Sequence, residues 1–368
     1  MVLKSPLYDM HKKLGAKFTE FAGFEMPMQF SSIKDEHLNV RRSVGIFDVS
    51  HMSNVWITGS DAEKLISLTT VEDASRISEN KSQYTVILKE DGTVIDDTIF
   101  MQLGKKYIMI PNAGMSDIVT KWLNDKAKEY NLNAKAEDVS RDFVILAIQG
   151  PKSRDTLQKL TEVDISTVKF FGCQYIDIAG VNCIISHTGY TGELGFELQI
   201  TPTKDAEGLF NRILDAGKEF NIKPIGLGAR DTLRLEKCFI LAGNEFKGGR
   251  TPLEATLSWT INWDHDFIGK EALLKQKEQG DYERLTCLKC SVKGIPRHGC
   301  EVQKDGKKVG TITSGTMSPC LNTGIAMGYV HPDFREKDNI LEIMVRNKQV
   351  KAKVVKPPFV PKNWAQQN

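Results

Sequence analysis

The sequence lacks long apolar runs, a strong charge bias and any recognisable targeting segment. No stretch reaches the roughly 18 consecutive apolar residues that a membrane-spanning helix needs. With 49 basic and 47 acidic residues, the formal net charge of +2 does not favour nucleic acid or a membrane as a partner. The first residues carry no pattern of a signal or transit peptide, so we expect a cytoplasmic protein.

The common motifs of metal and nucleotide sites are also missing. No HExxH, P-loop or GxGxxG string occurs, which removes the usual support for zinc, P-loop and Rossmann sites. The seven cysteines are scattered, and their odd number argues against a disulfide framework. Cys287 and Cys290 form a CxxC pair in a predicted strand, where residues three apart point to opposite faces. We therefore predict no metal site.

The length and the hydrophobic pattern predict an α+β protein of several domains. A chain of 368 residues exceeds one ordinary core, so we expect two or three domains. Residues 54–140 combine strand and helix patterns, and an apolar strand with a following helix begins again at Val144. Two more helices are predicted at 204–219 and 229–237. After residue 276, six short alternating strands predict a small barrel or jelly roll.

The segment 187–197 (HTGYTGELGFE) is the most unusual in the chain. It surrounds one tyrosine, Tyr190, with three glycines and two carboxylates. A plain hairpin needs only one glycine, at a turn position with positive φ. Three glycines in this segment favour a backbone that a flat ligand can approach closely.

Two adjacent acids, Asp96 and Asp97, lie in a predicted strand and therefore face opposite sides. Asp97 shares its face with Ile95 and Ile99. This pattern fits a half-buried functional acid and a solvent-tolerated edge acid equally well, since perturbed acids cluster at sites without defining them. We interpret Asp96 as a solvated strand acid.

Three further residues attract attention as possible ligand contacts. Tyr190 can stack on a flat ring, and Glu197 can accept a pair of hydrogen bonds, but a hairpin aromatic and a cross-strand partner remain open. We interpret Glu193 as a turn acid. Arg230 stands at the start of a predicted helix, against the preference of the helix dipole, so helix stability does not explain it. Binding an anion or fixing a carboxylate would explain it.

Eight segments in chain order resemble the aminomethyltransferase (T-protein) family of the glycine cleavage system. They are residues 21–27 (FAGFEMP), 44–52 (VGIFDVSHM), 91–97 (DGTVIDD), 187–197, 226–236 (GLGARDTLRLE), 267–273 (FIGKEAL), 312–319 (ITSGTMSP) and 356–359 (KPPF). The matches extend from residue 3 to residue 364, so the resemblance covers essentially the whole chain.

The resemblance implies three domains set around a central opening that holds folate. Two would be antiparallel-sheet αβ domains and the third a C-terminal β-barrel or jelly roll. On this basis residues 1–53 plus 141–276 form a central folate-binding domain. Residues 54–140 form an inserted, ferredoxin-like domain, and residues 277–368 form the barrel. We expect a monomer or a weak dimer.

The resemblance also implies an activity. The methylene carbon of an S-aminomethyl-dihydrolipoyl carrier protein (H-protein) would pass to tetrahydrofolate, with release of ammonia, during glycine degradation. Carrier proteins of this system are typically acidic, so we expect docking on basic residues, with Arg250 and Arg297 as candidates.

The family's site residues fall on positions of this chain. The catalytic residue would be Asp97, the second acid of the pair, and it would also contact folate. The other folate-binding positions are Met52, Tyr84, Asn112, Tyr190, Glu197, Arg230 and Trp364. Trp364 and Phe239 stand where the family usually has tyrosine, so they keep the ring without the hydroxyl. His51 we interpret as structural and not as a general base.

Two other functions of the same fold are possible alternatives. One is a folate-dependent demethylase, but such relatives depart from the family at residues 48–52 (DVSHM), which are intact here. The other is a non-enzymatic folate-binding protein of iron–sulfur assembly. That group carries a KGCYxGQE motif, whereas residues 188–193 read TGYTGE without a cysteine. The resemblance therefore favours the aminomethyltransferase.

Overall fold

A computed structural model describes residues 2–362, and the chain divides into two compact units. The first unit contains the chain up to Ile87, Asp96–Arg230 and Asp264–Phe267. The second unit contains Leu88–Ile95, Asp231–Trp263 and the chain from Ile268 onward. Among the described residues, no helix is long and apolar enough to cross a membrane.

Strands and helices alternate irregularly along the first two-thirds of the chain. The earliest are β1 (Leu3–Lys4), α1 (Tyr8–Lys13), β2 (Lys17–Phe21), β3 (Phe24–Gln29), α2 (Ile33–Arg42) and β4 (Gly45–Asp48). Then follow β5 (Val55–Thr58), α3 (Ala62–Thr69), β6 (Ser82–Leu88), β7 (Val94–Leu103), β8 (Lys106–Ile110), α4 (Ser116–Glu129) and β9 (Lys135–Asp138). The next are β10 (Val144–Gln149), α5 (Ser153–Gln158), β11 (Cys173–Ile178), β12 (Val181–Ser186), β13 (Gly195–Ile200), α6 (Ala206–Ala216), β14 (Lys223–Ile225) and α7 (Leu227–Glu236).

The remaining third is mostly strand. It contains α8 (Ala242–Glu245), α9 (Lys270–Gln279), β15 (Arg284–Cys290), β16 (Glu301–Lys304), β17 (Lys307–Ser318), β18 (Thr323–Val330), β19 (Ile340–Val345) and β20 (Lys348–Val355). These six strands form a closed barrel in the order β15-β18-β17-β16-β19-β20. The predicted α+β class with a C-terminal barrel is therefore confirmed.

A six-stranded sheet forms the core of the first unit, in the order β11-β12-β13-β10-β4-β14. All six residues of β10 are buried, which explains why its sequence is almost wholly apolar. β4 and β10 are antiparallel neighbours in this sheet, although the segment between them forms a second, five-stranded sheet, β6-β7-β8-β5-β9. This topology agrees with an inserted segment, while the three-domain boundaries stay a prediction.

Only one cysteine of the CxxC pair lies in the barrel interior. Cys290 packs into the barrel core with residues such as Leu288 and Ala352. Cys287 instead lies with its sulfur 3.1 Å from the sulfur of Cys238. The two cysteines of the pair therefore point to different surroundings, as the strand geometry predicts.

A buried carboxylate ties the start of the chain to the end of β4. Asp48 accepts hydrogen bonds from His11 Nε2 at 2.8 Å, from the Ser50 backbone at 2.9 Å, and from the Ser5 and Ser50 hydroxyls. Burial raises the pKa of Asp48, but the hydrogen bond and charge of His11 and the two serine hydroxyls outweigh it, so the net pKa is lowered. Ionised Asp48 therefore stabilises the fold.

We expect Asp48→Asn to lower the free energy of unfolding by about 2–3 kcal/mol at pH 7, because buried donors lose a charged acceptor. Since the pKa of Asp48 is lower in the folded chain than in the unfolded chain, this stabilisation is present above about pH 4. It is lost as the pH falls through the folded value. Urea unfolding at several pH values measures both effects.

The control is Asp177→Asn, which changes an exposed acid on the edge strand β11. Its unfolding should match wild type at every pH. A loss for Asp48→Asn that stays constant down to pH 2 would contradict the assigned role of Asp48.

Candidate active site

Asp97 lies half-buried on β7, on the face with Ile95 and Ile99 that the alternation predicts. Tyr84 of β6 donates its hydroxyl to Asp97 Oδ2 at 2.8 Å. Burial of the phenol, followed by the charge and hydrogen bond of Asp97, raises the pKa of Tyr84 well above its ordinary value. Tyr84 therefore keeps its proton at neutral pH and donates a hydrogen bond to this carboxylate.

Asp96 is fully buried, so its interpretation as a solvated strand acid is wrong. Its two carboxylate oxygens accept from the backbone N–H and the side-chain amide of Asn112, each at 2.8 Å. The same amide nitrogen lies 2.9 Å from Asp97 Oδ1 and 2.8 Å from the Asp97 carbonyl oxygen. Asn112, which follows β8 in the loop Pro111–Asn112, thus joins the two acids.

The two acids differ in charge. Burial, and then the negative charge of Asp97, raise the pKa of Asp96 to about 8, against the hydrogen bonds from Asn112. At neutral pH Asp96 is therefore largely protonated. The negative charge of the pair resides on Asp97, which is the more accessible of the two.

Each of the three glycines of segment 187–197 has a local structural reason. The side chain of Gln149, from the end of β10, lies against Gly189 and Gly195. A Cβ at these positions would stand 2.0 Å and 2.3 Å from Gln149 atoms. Gly192 has a φ of +71°, which only glycine adopts readily. Side-chain packing and a turn therefore account for the three glycines, and the close approach of a flat ligand stays a prediction.

The same loop is anchored by a buried arginine. Arg41 of α2 donates through Nη1 to the Thr191 carbonyl at 2.6 Å and to Glu193 Oε1 at 2.9 Å. Glu193 lies in the loop between β12 and β13, as a turn acid would, and is also one half of an ion pair with the buried Arg41. Thr191 Oγ1 also donates to Gln149 Oε1 at 2.8 Å. No sequence pattern indicates this anchor, because Arg41 and Gln149 are remote from the loop along the chain.

Tyr190, at the tip of the loop, meets Arg230. The centre of the Arg230 guanidinium lies 4.5 Å from the Tyr190 ring centroid, within cation–π distance. Tyr190 is also close enough to Tyr84 to contribute to its raised pKa. The acid pair and the Tyr190–Arg230 stack therefore belong to one neighbourhood.

His51 borders this neighbourhood as a neutral group. It is buried, and burial together with the positive charge of Arg230 lowers the pKa of His51 to about 3, against the charge of Asp48. Its ring meets Phe21 edge-on at 5.6 Å between centroids. An uncharged, buried imidazole agrees with the structural role that the sequence favours.

Three further residues are predicted from the sequence to belong to the site. Glu197 on β13 is half-buried and accepts a hydrogen bond from the Thr188 hydroxyl, which precedes the Tyr190 loop. Met52 is half-buried in the turn after β4, and its N–H donates to the Val49 carbonyl at 2.9 Å. Trp364 lies outside the described residues.

This arrangement offers two chemical capacities. A half-buried carboxylate held by the uncharged donors Tyr84 and Asn112 keeps its negative charge available to an N–H group or to a developing cation. A tyrosine ring fixed by a guanidinium presents a flat, partly apolar surface to a planar ligand.

Known proteins resemble this chain over nearly its whole length. The model of the GCVT N-terminal domain matches residues 7–265, and that of the glycine cleavage T-protein C-terminal barrel domain matches residues 283–361. An aminomethyltransferase of Caldanaerobacter subterraneus is 43% identical over 364 residues, which cover 98% of this chain and 96% of that protein. An aminomethyltransferase of Halothermothrix orenii is 41% identical over 359 residues, which cover 97% and 99%.

A solved structure agrees in fold. The crystal structure of the glycine cleavage system aminomethyltransferase T from Bartonella henselae superposes with a TM-score of 0.91, at 29% identity and with 98% of each chain covered. The matches to both family models and the identity to curated relatives together show that this chain belongs to the glycine cleavage T-protein family, the aminomethyltransferases.

Proposed function

We propose that this chain transfers the methylene carbon of an S-aminomethyl-dihydrolipoyl carrier protein to tetrahydrofolate. The carbon gains bonds to two folate nitrogens as its bonds to sulfur and to the amino nitrogen break. The nitrogen leaves as ammonia, and the lipoyl arm of the carrier regains its thiol. The observation that carries the proposal is the half-buried Asp97, held by two uncharged donors beside the Tyr190–Arg230 stack, in a member of this family.

In this proposal Asp97 is the catalytic residue. Positive charge develops on the carbon and its nitrogen neighbours as the methylene group changes partners, and a preorganised carboxylate stabilises it. Tyr84 and Asn112 hold the two Asp97 oxygens without neutralising them. The buried Asp96 keeps Asn112 in position from the other side.

Folate would be held by several residues around this centre. A pterin ring is flat on its faces and presents a donor pair on one edge, which suits the Tyr190 ring and the Glu197 carboxylate. Thr188 orients one oxygen of Glu197. We also assign Met52, Tyr84, Asn112, Arg230 and Trp364 to the folate site, as the family pattern implies.

The aminomethyl donor would arrive on an acidic lipoylated carrier protein. Arg250 is an unsuitable docking residue, because it pairs with Glu254 at 2.7 Å and Glu283 at 2.8 Å and stacks on Tyr329. Arg297 is exposed in a loop, with one guanidinium nitrogen donating to the Gly315 carbonyl at 3.0 Å. Docking is therefore proposed to involve Arg297.

The relatives do not favour the demethylase or the iron–sulfur assembly function, since the curated ones are aminomethyltransferases. The three-domain division, the cytoplasmic location and the monomeric or weakly dimeric state stay predictions. Activity is tested by ammonia release from glycine with lipoylated carrier, glycine decarboxylase and tetrahydrofolate. A purified chain that releases no ammonia in this complete system would refute the proposed function.

We expect Asp97→Asn to lower kcat by roughly 100-fold or more, the scale of a lost electrostatic contribution. Tetrahydrofolate affinity should change much less. The variant for comparison is Asp96→Asn, which should stay within about ten-fold of wild type because it removes one acceptor for Asn112 but leaves the Asp97 carboxylate in place. A severe loss for Asp96→Asn with normal turnover for Asp97→Asn would reverse the roles of the pair.

We expect Glu197→Ala to weaken tetrahydrofolate binding about ten-fold or more, because a donor pair on the pterin edge would lose its acceptor. Isothermal calorimetry measures the Kd directly. Asp177→Ala, which removes an exposed acid from the same sheet, is the control and should bind as wild type. Equal affinities for wild type and Glu197→Ala would exclude the pterin-edge role.

Raising salt from low to several hundred millimolar should increase the KM for the carrier protein much more than that for tetrahydrofolate, because screening acts on exposed charges. Arg297→Glu should raise the carrier KM in the same selective way at low salt. Lys121→Glu, on α4 and also exposed, is a charge-reversal control. A carrier KM that is insensitive both to salt and to Arg297→Glu would refute this docking role.

A further inference from the structure

Helix α2 buries two charged side chains that the proposed reaction does not use. Glu36 and Arg41 are both completely inaccessible to solvent. Burying a charge costs several kcal/mol unless it is well paired, and apolar residues would pack such a helix at least as well. The partners of these two residues therefore indicate what each one holds.

Glu36 holds the segment that leads to Arg230. Its Oε2 accepts from the Gly226 N–H at 2.8 Å, while its Oε1 accepts from the N–H groups of Phe30 and Ser31 at 2.7 Å and 2.8 Å. The Gly226 carbonyl in turn accepts from the Arg230 N–H at 3.1 Å, in the first turn of α7. Glu36 thus fixes the backbone from which Arg230 projects.

The backbone at Gly226 and Gly228 lies close against neighbouring elements, with no room for a side chain. A Cβ there would stand 2.3 Å from the Met28 carbonyl oxygen, and one at Gly228 would stand 2.6 Å from Ile33 Cδ1 at the start of α2. Such close contacts exist only because both residues are glycines. The turn is therefore pressed against β3 and α2 at the point where Glu36 binds it.

Arg41 holds the other partner of the stack. Its hydrogen bonds to the Thr191 carbonyl and to Glu193 grip the chain immediately after Tyr190. Gln149 holds the same loop from β10, by accepting from Thr191 Oγ1 and by donating to the Thr188 carbonyl at 3.1 Å. Tyr190 is therefore at the tip of a loop that is fixed on both sides.

The two anchors stand five positions apart on one helix, about 7.5 Å along its axis. The residues they hold meet in the stack of Arg230 over Tyr190, at 4.5 Å. We propose that Glu36 and Arg41 are positioning residues of the ligand site, and that α2 sets the spacing between Tyr190 and Arg230 before the ligand binds. The identity of that ligand, tetrahydrofolate, rests on the proposed function.

This role predicts a specific kinetic pattern. A substitution of either anchor leaves Tyr190 and Arg230 in the chain but no longer holds them in place before the ligand binds. Part of the binding free energy must then be used to order these two residues. Tetrahydrofolate affinity should fall while kcat at saturating ligand changes little. Because the anchors act through the stack, their effect should depend on the presence of Tyr190.

The test uses the double variant Arg41→Met/Glu193→Leu, which removes both charges of the pair at once. We expect its Kd for tetrahydrofolate to rise about ten-fold, with kcat within about three-fold of wild type. In a Tyr190→Ala background the same double change should alter the Kd by less than about two-fold. Lys126→Met, which removes a buried, paired cation from α4, is the control and should leave the Kd unchanged.

The outcomes are distinguishable. Wild-type protein that does not bind tetrahydrofolate would refute the proposed function. If wild type binds and Tyr190→Ala weakens binding, but the folded double variant binds normally, the positioning role is refuted. An equal loss in the Tyr190→Ala background would also refute it, since Arg41 would then act by another route. If the double variant does not fold, the same double-mutant cycle can be made with Glu36→Gln and Tyr190→Ala. Glu36→Gln keeps one acceptor and the shape of the side chain.

Discussion

The antiparallel pairing of β4 with β10 is the constraint on which the first unit depends. Both strands are buried along their whole length, so neither could satisfy its backbone groups without the other. The pairing joins parts of the chain that are far apart in sequence, and the entropy of closing such a long loop grows only slowly with its length. An entire second sheet can therefore be inserted between the two strands at small thermodynamic cost.

One side of the candidate site is built on this pair of strands and their neighbour β13, while Tyr84 and Asp97 lie on β6 and β7 of the second sheet. His51 and Met52 follow β4, Gln149 ends β10, and Glu197 lies opposite Ala147 on the neighbouring strand β13. Gln149 and Glu197 owe their positions to a ladder of backbone hydrogen bonds, which is more rigid than a loop. The loop of Tyr190 is the exception, and it is the part that receives buried charged and amide anchors.

The features that could be predicted from the sequence are those that depend on residues close together in the chain. The alternation correctly placed Asp97 on one face with Ile95 and Ile99 but left its burial open, and the spacing of short strands predicted a small barrel or jelly roll, of which the structure has the barrel. The burial of Asp96 was mispredicted because its cover comes from Asn112, beyond the next strand. The ion pair of Glu193 and the packing of Gln149 on two glycines escaped prediction for the same reason: both partners are brought in by the tertiary fold. The resemblance to the family indicated candidate site residues, but it did not indicate which buried residues hold them in position.

The side chain of Gln149 packs between Gly189 and Gly195, and this packing limits which substitutions the loop can accept. Any side chain larger than hydrogen at either glycine would meet this amide, so the end of the Gln149 side chain would have to move and give up its present hydrogen bonds. A smaller residue at 149 would in turn release Thr191 and leave a void in a close-packed region. The three positions are therefore coupled through one amide: a substitution at any of them changes the packing of the other two.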